Sequence, residues 1–387
     1  MKIKMEASDL AEMVNVCSMA ISSKPMKPIY ECVYLEAHSE EGLPCLTVLG
    51  KDVGVAIRKV TDRAVVEDDG QALIPAKSLL NFLKLMEGEI KLNIDEKGVA
   101  TLKGKGKKVS INCLDGAEYE PGFMQIDDVA KECTMDGLDY GTLVSSVSHC
   151  IAPDEGRIAL TGINFSFDGT KANGGVEAVG MSGYRIAAAK KNVETNDVFS
   201  ALVPAVSAKL VQKVIGSREN VSFRFGKGVM ISEAYDVAIE VSLLAAEFMD
   251  YNKLLKHNGT LKIKANTKAL LNAVSLAMIS ASEGKKGLIV FTVKDDETLE
   301  VSAMSDINSA VTDIPVMVQG QLTKNDGTSD GNEIAFNGKF VEDCLKVQTG
   351  YGEEVVLEFK SSVTPMEMKP ADRDDYFQVI LPVRMIV

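Results

Sequence analysis

The sequence has no tryptophan, only three histidines, and no hydrophobic run of the length a bilayer helix needs. Membrane-spanning helices are set aside. With His38, His149 and His257 alone, and with no GxGxxG, no Walker loop and no metal-ligand spacing, the chain lacks the parts for most chemistries. His149 and Cys150 are adjacent, but neighbours on one helix point about 100° apart, so they are not expected to work as base and nucleophile. No catalytic residue, cofactor or metal is expected. Seven cysteines run from Cys17 to Cys344 without a CxxC pair or a disulfide framework, and read as small buried hydrophobes in a reducing, cytoplasmic compartment. Positive charge is also short, at 42 Lys and Arg against 55 Asp and Glu. The net charge of −13 counts against ordinary nucleic-acid binding, where cations neutralise phosphates. Near the start, Glu6, Asp9 and Glu12 interrupt what would be the apolar region of an export signal, so none is expected.

What is present is repetition. A chain of 387 residues predicts two to four domains at about 150 residues each, and 46% hydrophobic with 25% charged residues is a globular composition. ALIPAKSLLNFLKLMEG from Ala72 returns as ALVPAVSAKLVQKVIG from Ala201, and again, worn, as IAFNGKFVEDCLKVQTG from Ile334, with Asn337 in place of Pro75 and Pro204. Nine residues beyond those three positions stand Lys84, Lys213 and Lys346. An alternating strand pattern follows each copy: EIKLNID, NVSFRFG and EVVLEFK.

A second unit opens each third of the chain at Ile3, Cys133 and Ile263, with a short strand, a polar capping region and a helical run. Leu10, Met13, Val14 and Cys17, and likewise Tyr140, Leu143, Val144 and Val147, follow helical spacing, with Asp9 and Asp139 near the helix starts. Strands represented by YECVYLEA, GINFSFDG and LIVFTVKD come next. Three units of about 130 residues are too long for a solenoid and suit whole domains. The predicted domains are 1–128, 129–256 and 257–387, joined without flexible linkers, and the loop richest in Gly, Asn, Asp and Ser is 319–333.

Together with RIALTGINFSF, VGMSGYRIAAAK and the terminal FQVILPVRMIV, this threefold repetition resembles the bacterial sliding-clamp family, the beta subunit of DNA polymerase III, across the whole chain. The resemblance implies an α+β DNA-clamp fold: three repeated domains, each with two helices backed by antiparallel sheets, closed into a ring as a homodimer around double-stranded DNA. It implies no catalysis. The implied partners are the DNA polymerase III alpha subunit, an ATP-driven clamp loader and repair proteins, and no membrane. A ring held by topology needs no positive total charge. In the helix candidates 8–22, 76–87, 138–151, 205–216, 266–282 and 338–349, seven lysines (Lys268 among them) oppose six acids, so these helices sum to +1 and the rest to −14. The implied DNA-facing cations are Lys77, Lys84, Lys209, Lys213, Lys339 and Lys346, with Lys24 at a position the family often makes basic.

The resemblance also implies a peptide-binding cleft of Leu160, Met181, Gly183, Tyr184, Arg185, Ile186, Met249, Lys253, Leu254, Val379, Leu381, Pro382, Val383 and Arg384. Apolar peptide side chains would enter a greasy groove while basic side chains at its rim fix polar groups. The chain departs from the family at Met181–Tyr184, at Met249, at Lys253 and in the extension Met385–Val387. For the dimer interface the resemblance implies Val109 and Ile111 on one side and Met278 and Ile279 on the other. KGKGKK at 103–108 reads as a hairpin turn. The rival expectation is a multidomain beta-rich peptide- or carbohydrate-binding protein with no DNA role.

Overall fold

The computed structural model describes residues 1–387 except 23, 25–26, 41–44, 124–125, 127–130, 153–154, 171–173, 252–258, 284–286, 306, 325–326 and 385–387. Six α-helices stand among the described residues: α1 Ala7–Cys17, α2 Ala76–Leu83, α3 Gly137–Val147, α4 Ala205–Ile215, α5 Thr267–Glu283 and α6 Gly338–Gln348. Antiparallel strands form sheets of five, eight and twelve members.

The repeats read in the sequence are repeats of strand pairing. Lys2–Glu6 pairs with Glu89–Ile94, Lys131–Met135 with Val221–Gly226, and Leu261–Asn266 with Glu354–Phe359. A second ladder recurs as faithfully: Cys32–Ala37 with Gly70–Pro75, Gly162–Asp168 with Val198–Pro204, and Leu288–Val293 with Glu333–Asn337. Pro75, Pro204 and Asn337 each end a strand immediately before a helix, opposite the first residue of the partner strand. A proline is harmless there, because the strand has no further ladder bond to donate. Asn337 supplies something proline lacks. Its side chain caps α6, accepting from the backbone N–H groups of Lys339 and Phe340 at 3.0 and 3.3 Å.

Leu10, Met13, Val14 and Cys17 form the buried stripe of α1, and Tyr140, Leu143, Val144 and Val147 that of α3, as their spacing predicts. Both helices are shorter than expected, passing into 3-10 turns at Ser18–Ala20 and Ser148–Cys150. Ser18 and Ser148 donate back to the carbonyls of Val14 and Val144, a local bond that competes with helix continuation. The carbonyls of Cys17 and Val147 lie against Gly50 and Gly180, where a Cβ would collide with them. These two glycines set how closely each helix approaches its sheet. With the observed bounds, Glu283 joins α5 while Lys84 and Glu87 fall outside α2. The helices then hold six lysines and six acids, and the expected excess of +1 disappears.

The chain divides into two compact units: 1–141 with 194–197 and 206–243, and 142–193 with 198–205 and 244–387. The expected boundaries at 128 and 256 lie outside the described residues. The middle third is shared between the units because main-chain ladders join it to both neighbours. Val55–Thr61 pairs with Val237–Ser242, and Arg185–Lys191 pairs with Tyr376–Ile380. In the first unit, Asp236 anchors the former ladder. It accepts from Lys59 at 2.7 Å and from two nitrogens of Arg218 at 2.7 and 3.0 Å, and Lys59 also reaches Glu12 at 3.1 Å. The loop expected at 319–333 is shorter, since one strand runs to Gly320 and the next begins at Glu333.

Candidate peptide-binding cleft and lysine-bearing helices

The cleft grows from a hairpin in the second unit. Strand Val176–Met181 turns through Ser182–Tyr184 into Arg185–Lys191, with Met181 opposite Ile186 and the Ser182 N–H donating to the Arg185 carbonyl at 2.9 Å. The second of these strands pairs with Tyr376–Ile380, placing Ile186 opposite Val379. Period-two alternation then puts Val179, Met181, Ile186, Ala188 and Val379 into one apolar cluster with Leu160 and Tyr251. The Tyr251 hydroxyl donates to Glu177 at 2.6 Å; burial and then that carboxylate raise its pKa, so it stays a phenol donor.

Above this cluster lies a cavity of about 260 Å³ lined by Arg157, Leu160, Met181, Ser182, Gly183, Tyr184, Arg185, Ile186, Met249, Pro365, Val379 and Leu381. Nine of the fourteen expected residues thus converge on one recess. Tyr184 at 63%, Met249 at 50% and Leu381 at 40% exposure give it apolar lips. The Leu381 N–H donates to the Tyr184 carbonyl at 2.9 Å, fixing one lip to the other.

Arg185 is not the rim cation that was expected. Its side chain is only 12% exposed, its Nη1 donates to Asp343 Oδ2 at 3.2 Å, and its guanidinium lies 4.4 Å over the Phe340 ring. It is a wall built on α6. Burial alone would raise the Asp343 carboxyl, but hydrogen bonds from Lys339 and Arg185 outweigh it and hold the group below its ordinary pKa. Among the described residues lining the recess, the exposed cation is Arg157. Sequence reasoning missed it as a site residue although it begins RIALTG, and missed Ser182 although it lies inside MSGYRI. Pro365 carried no signal, since the strand after it reaches the cleft only by pairing with Tyr376–Ile380.

Val383 and Arg384 line a separate recess of about 490 Å³ with Asp330, Glu333 and Ala335, held there by the bond from the Val383 N–H to the Ala335 carbonyl at 2.8 Å. Pro382 lines neither recess. Lys253, Leu254 and Met385–Val387 lie outside the described residues.

All seven expected DNA-facing lysines are exposed, and the six on or beside helices fall into two chemical groups. Lys339 pairs with Glu342 and Asp343 at 3.2 and 2.9 Å, and Lys346 with Glu342 at 3.0 Å, so α6 neutralises its own cations. Lys77, Lys84, Lys209 and Lys213, on or at the end of α2 and α4, have no carboxylate within ion-pairing distance among the described residues. Lys24 sits exposed in a loop. On α1, Asp9 and Glu12 are compensated by Arg63 and Lys59 at 3.8 and 3.1 Å.

Val109 and Ile111 do lie on the edge strand Lys107–Asn112 of the five-stranded sheet, which leaves its outer backbone groups unpaired within the sheet. Ile111, however, is only 7% exposed and packs into its own unit. Met278 packs its sulfur against Gly338 at the start of α6, whereas Ile279 is 61% exposed. The KGKGKK segment is the expected hairpin turn: Gly104 pairs with Lys107, and Lys105 and Gly106 both have positive φ, at 41° and 77°.

Models of the DNA polymerase III beta subunit match most of the length in order: the N-terminal domain over 1–124, the central domain over 138–250 and the C-terminal domain over 252–384. The beta sliding clamp of Halalkalibacterium halodurans is 24% identical over 388 residues, covering 96% of each chain. That of Bacillus subtilis is 23% identical over 398 residues, covering 99% of this chain and 100% of the relative. In fold, the chain is similar to the solved DNA polymerase sliding clamp of Bacillus subtilis, with TM-score 0.89 at 21% identity over 100% of both. It is also similar to the DNA polymerase III beta subunit of Thermotoga maritima, with TM-score 0.84 at 21% identity over 100% of both. The rival expectation of a peptide- or carbohydrate-binding module finds no support in these matches.

Proposed function

The chain belongs to the DNA polymerase III beta subunit family, whose members are non-catalytic, and from that premise we propose that it is a DNA sliding clamp. Two chains close head to tail into a homodimeric ring around duplex DNA in the cytoplasm. The ring tethers the replicative polymerase and so confers processivity. The observation that carries this reading is the recurrence of both strand ladders in every third of the chain, each second ladder ending at the residue before a helix. Each third then delivers one strand-to-helix unit of the kind a pseudo-symmetric ring is built from.

The cleft receives an extended peptide from the polymerase III alpha subunit, the clamp loader or a repair protein. Its apolar side chains enter between Tyr184, Met249 and Leu381, and Arg157 meets its acidic or carbonyl groups. Dimerisation uses the edge strand at 107–112 against the α5 face bearing Ile279, with backbone pairing contributing more than the buried Ile111 side chain. Primer extension by the replicative polymerase with its loader tests the function. Products should lengthen many-fold when this protein is added; unchanged product length under single-hit conditions would refute it.

A further inference from the structure

Two thiols and an imidazole from distant parts of the chain meet inside the second unit. The turn Ser148–Cys150 follows α3, and α6 brings Cys344 to it, so that a ring nitrogen of His149 and the sulfurs of Cys150 and Cys344 all lie within 4.8 Å of one another. His149 Nε2 stands 3.5 Å from Cys344 Sγ and 2.8 Å from Gln378 Oε1. Tetrahedral zinc, with bonds of about 2.1 Å to nitrogen and about 2.3 Å to sulfur, holds those two ligand atoms about 3.6 Å apart. The nitrogen-to-sulfur spacing is already that of a zinc site.

The chamber is not built as apolar packing would require. Cys150, Cys344 and Gln378 are fully buried, so an amide and an imidazole stand beside two thiols in the interior. Gln378 Nε2 donates to the Cys344 carbonyl at 3.1 Å, which turns Oε1 of the same amide toward His149. An oriented amide oxygen, an imidazole and two thiols therefore share one space. His149 is only half-buried, so the cluster reaches toward the surface at that residue.

We propose that this chamber binds zinc, with His149 Nε2, Cys150 Sγ and Cys344 Sγ as ligands and Gln378 Oε1 in the fourth position. Two thiolates and an imidazole select zinc over magnesium or calcium, which take oxygen ligands. Each thiol releases its proton to solvent on binding, and the two thiolate charges balance the ion inside the protein. The 2.8 Å nitrogen-to-oxygen contact opens by about half an ångström as the ion enters. The metal joins the turn after α3 to α6 and to strand Tyr376–Ile380. Since α6 carries Phe340 and Asp343, on which Arg185 rests, zinc fixes one wall of the cleft.

The full chain, stripped of metal and kept reduced, is titrated with Co2+ and then Zn2+. The expected result is a thiolate-to-cobalt charge-transfer band with tetrahedral d–d bands, saturating at one ion per chain and abolished by zinc, and a zinc-dependent rise in melting temperature. Cys344→Ser should lose the charge-transfer intensity of one thiolate, while Cys113→Ser, in the first unit, should keep the full spectrum. Gln378→Ala retains the three principal ligands and should weaken Co2+ binding about tenfold or more, a readout that survives if the cysteine variant fails to fold. A folded wild-type protein with no charge-transfer band overturns the proposal, as does a spectrum and affinity unchanged in Gln378→Ala.

Discussion

At the scale of single residues, the proposed peptide site separates exposed side chains on the lips of the cleft from those that hold the cleft together. Tyr184 and Leu381 are exposed lips, so Tyr184→Ala and Leu381→Ala should each weaken a fluorescent clamp-binding peptide of the polymerase alpha subunit by about tenfold, or about 1.4 kcal/mol, with little change in melting temperature. Arg185→Ala should lower both affinity and melting temperature, because it leaves Asp343 partly buried with one cation fewer and uncovers Phe340. Fluorescence anisotropy alongside thermal melts checks this, and an Arg185→Ala protein as stable as the wild type would refute the wall assignment. The residues of the cleft were legible because three motifs converge on it. The role of Arg185 was not, since its partners Asp343 and Phe340 lie about 150 positions away, on a helix whose packing no local pattern reveals.

At the scale of elements, the ladder between Val55–Thr61 and Val237–Ser242 depends on Asp236. Hydrogen bonding to Arg218 first, then to Lys59, holds the Asp236 carboxyl well below its ordinary value despite partial burial. A carboxyl depressed in the folded state adds stability above the unfolded value near pH 4, and that stability is lost as pH falls through the folded value. Asp236→Asn should therefore destabilise the protein by about 1–3 kcal/mol between pH 5 and 7, with the difference from wild type narrowing in acid below about pH 4. Urea melts across that range check it. A gap that widened in acid would contradict the sign. Helix existence was readable from apolar spacing, while helix ends were not. The stops at Cys17 and Val147 arise where Gly50 and Gly180 let a distant strand press on the final carbonyl, and the serines that bond back look unremarkable in sequence.

At the scale of the molecule, the question is how a chain of net charge −13 stays on DNA. The expected excess of helix lysines is absent, so gross charge does not answer it. What remains is local: α2 and α4 offer lysines with no carboxylate partner among the described residues, while α6 pairs its own. Lys77→Ala with Lys84→Ala, or Lys209→Ala with Lys213→Ala, should weaken retention on DNA at low salt and make it less steeply dependent on salt. Lys339→Ala with Lys346→Ala should act more weakly, because those cations already face Glu342 and Asp343. Equal effects from all three pairs, measured as retention across a salt series, would remove the distinction. Threefold organisation was legible from the recurring Ala, Pro and Lys positions. The continuity of sheets from one third to the next was not, because strand-edge pairing leaves no mark on local composition.

In the proposed ring, charge of any distribution is secondary to enclosure, and enclosure is measured by cutting the DNA. The protein is loaded on a nicked circle, unbound protein is removed, and the circle is cut once at moderate salt. An enclosing clamp stays on the intact circle and leaves the linear product promptly through its free ends, whereas retention on linear DNA equal to that on the circle would contradict the account.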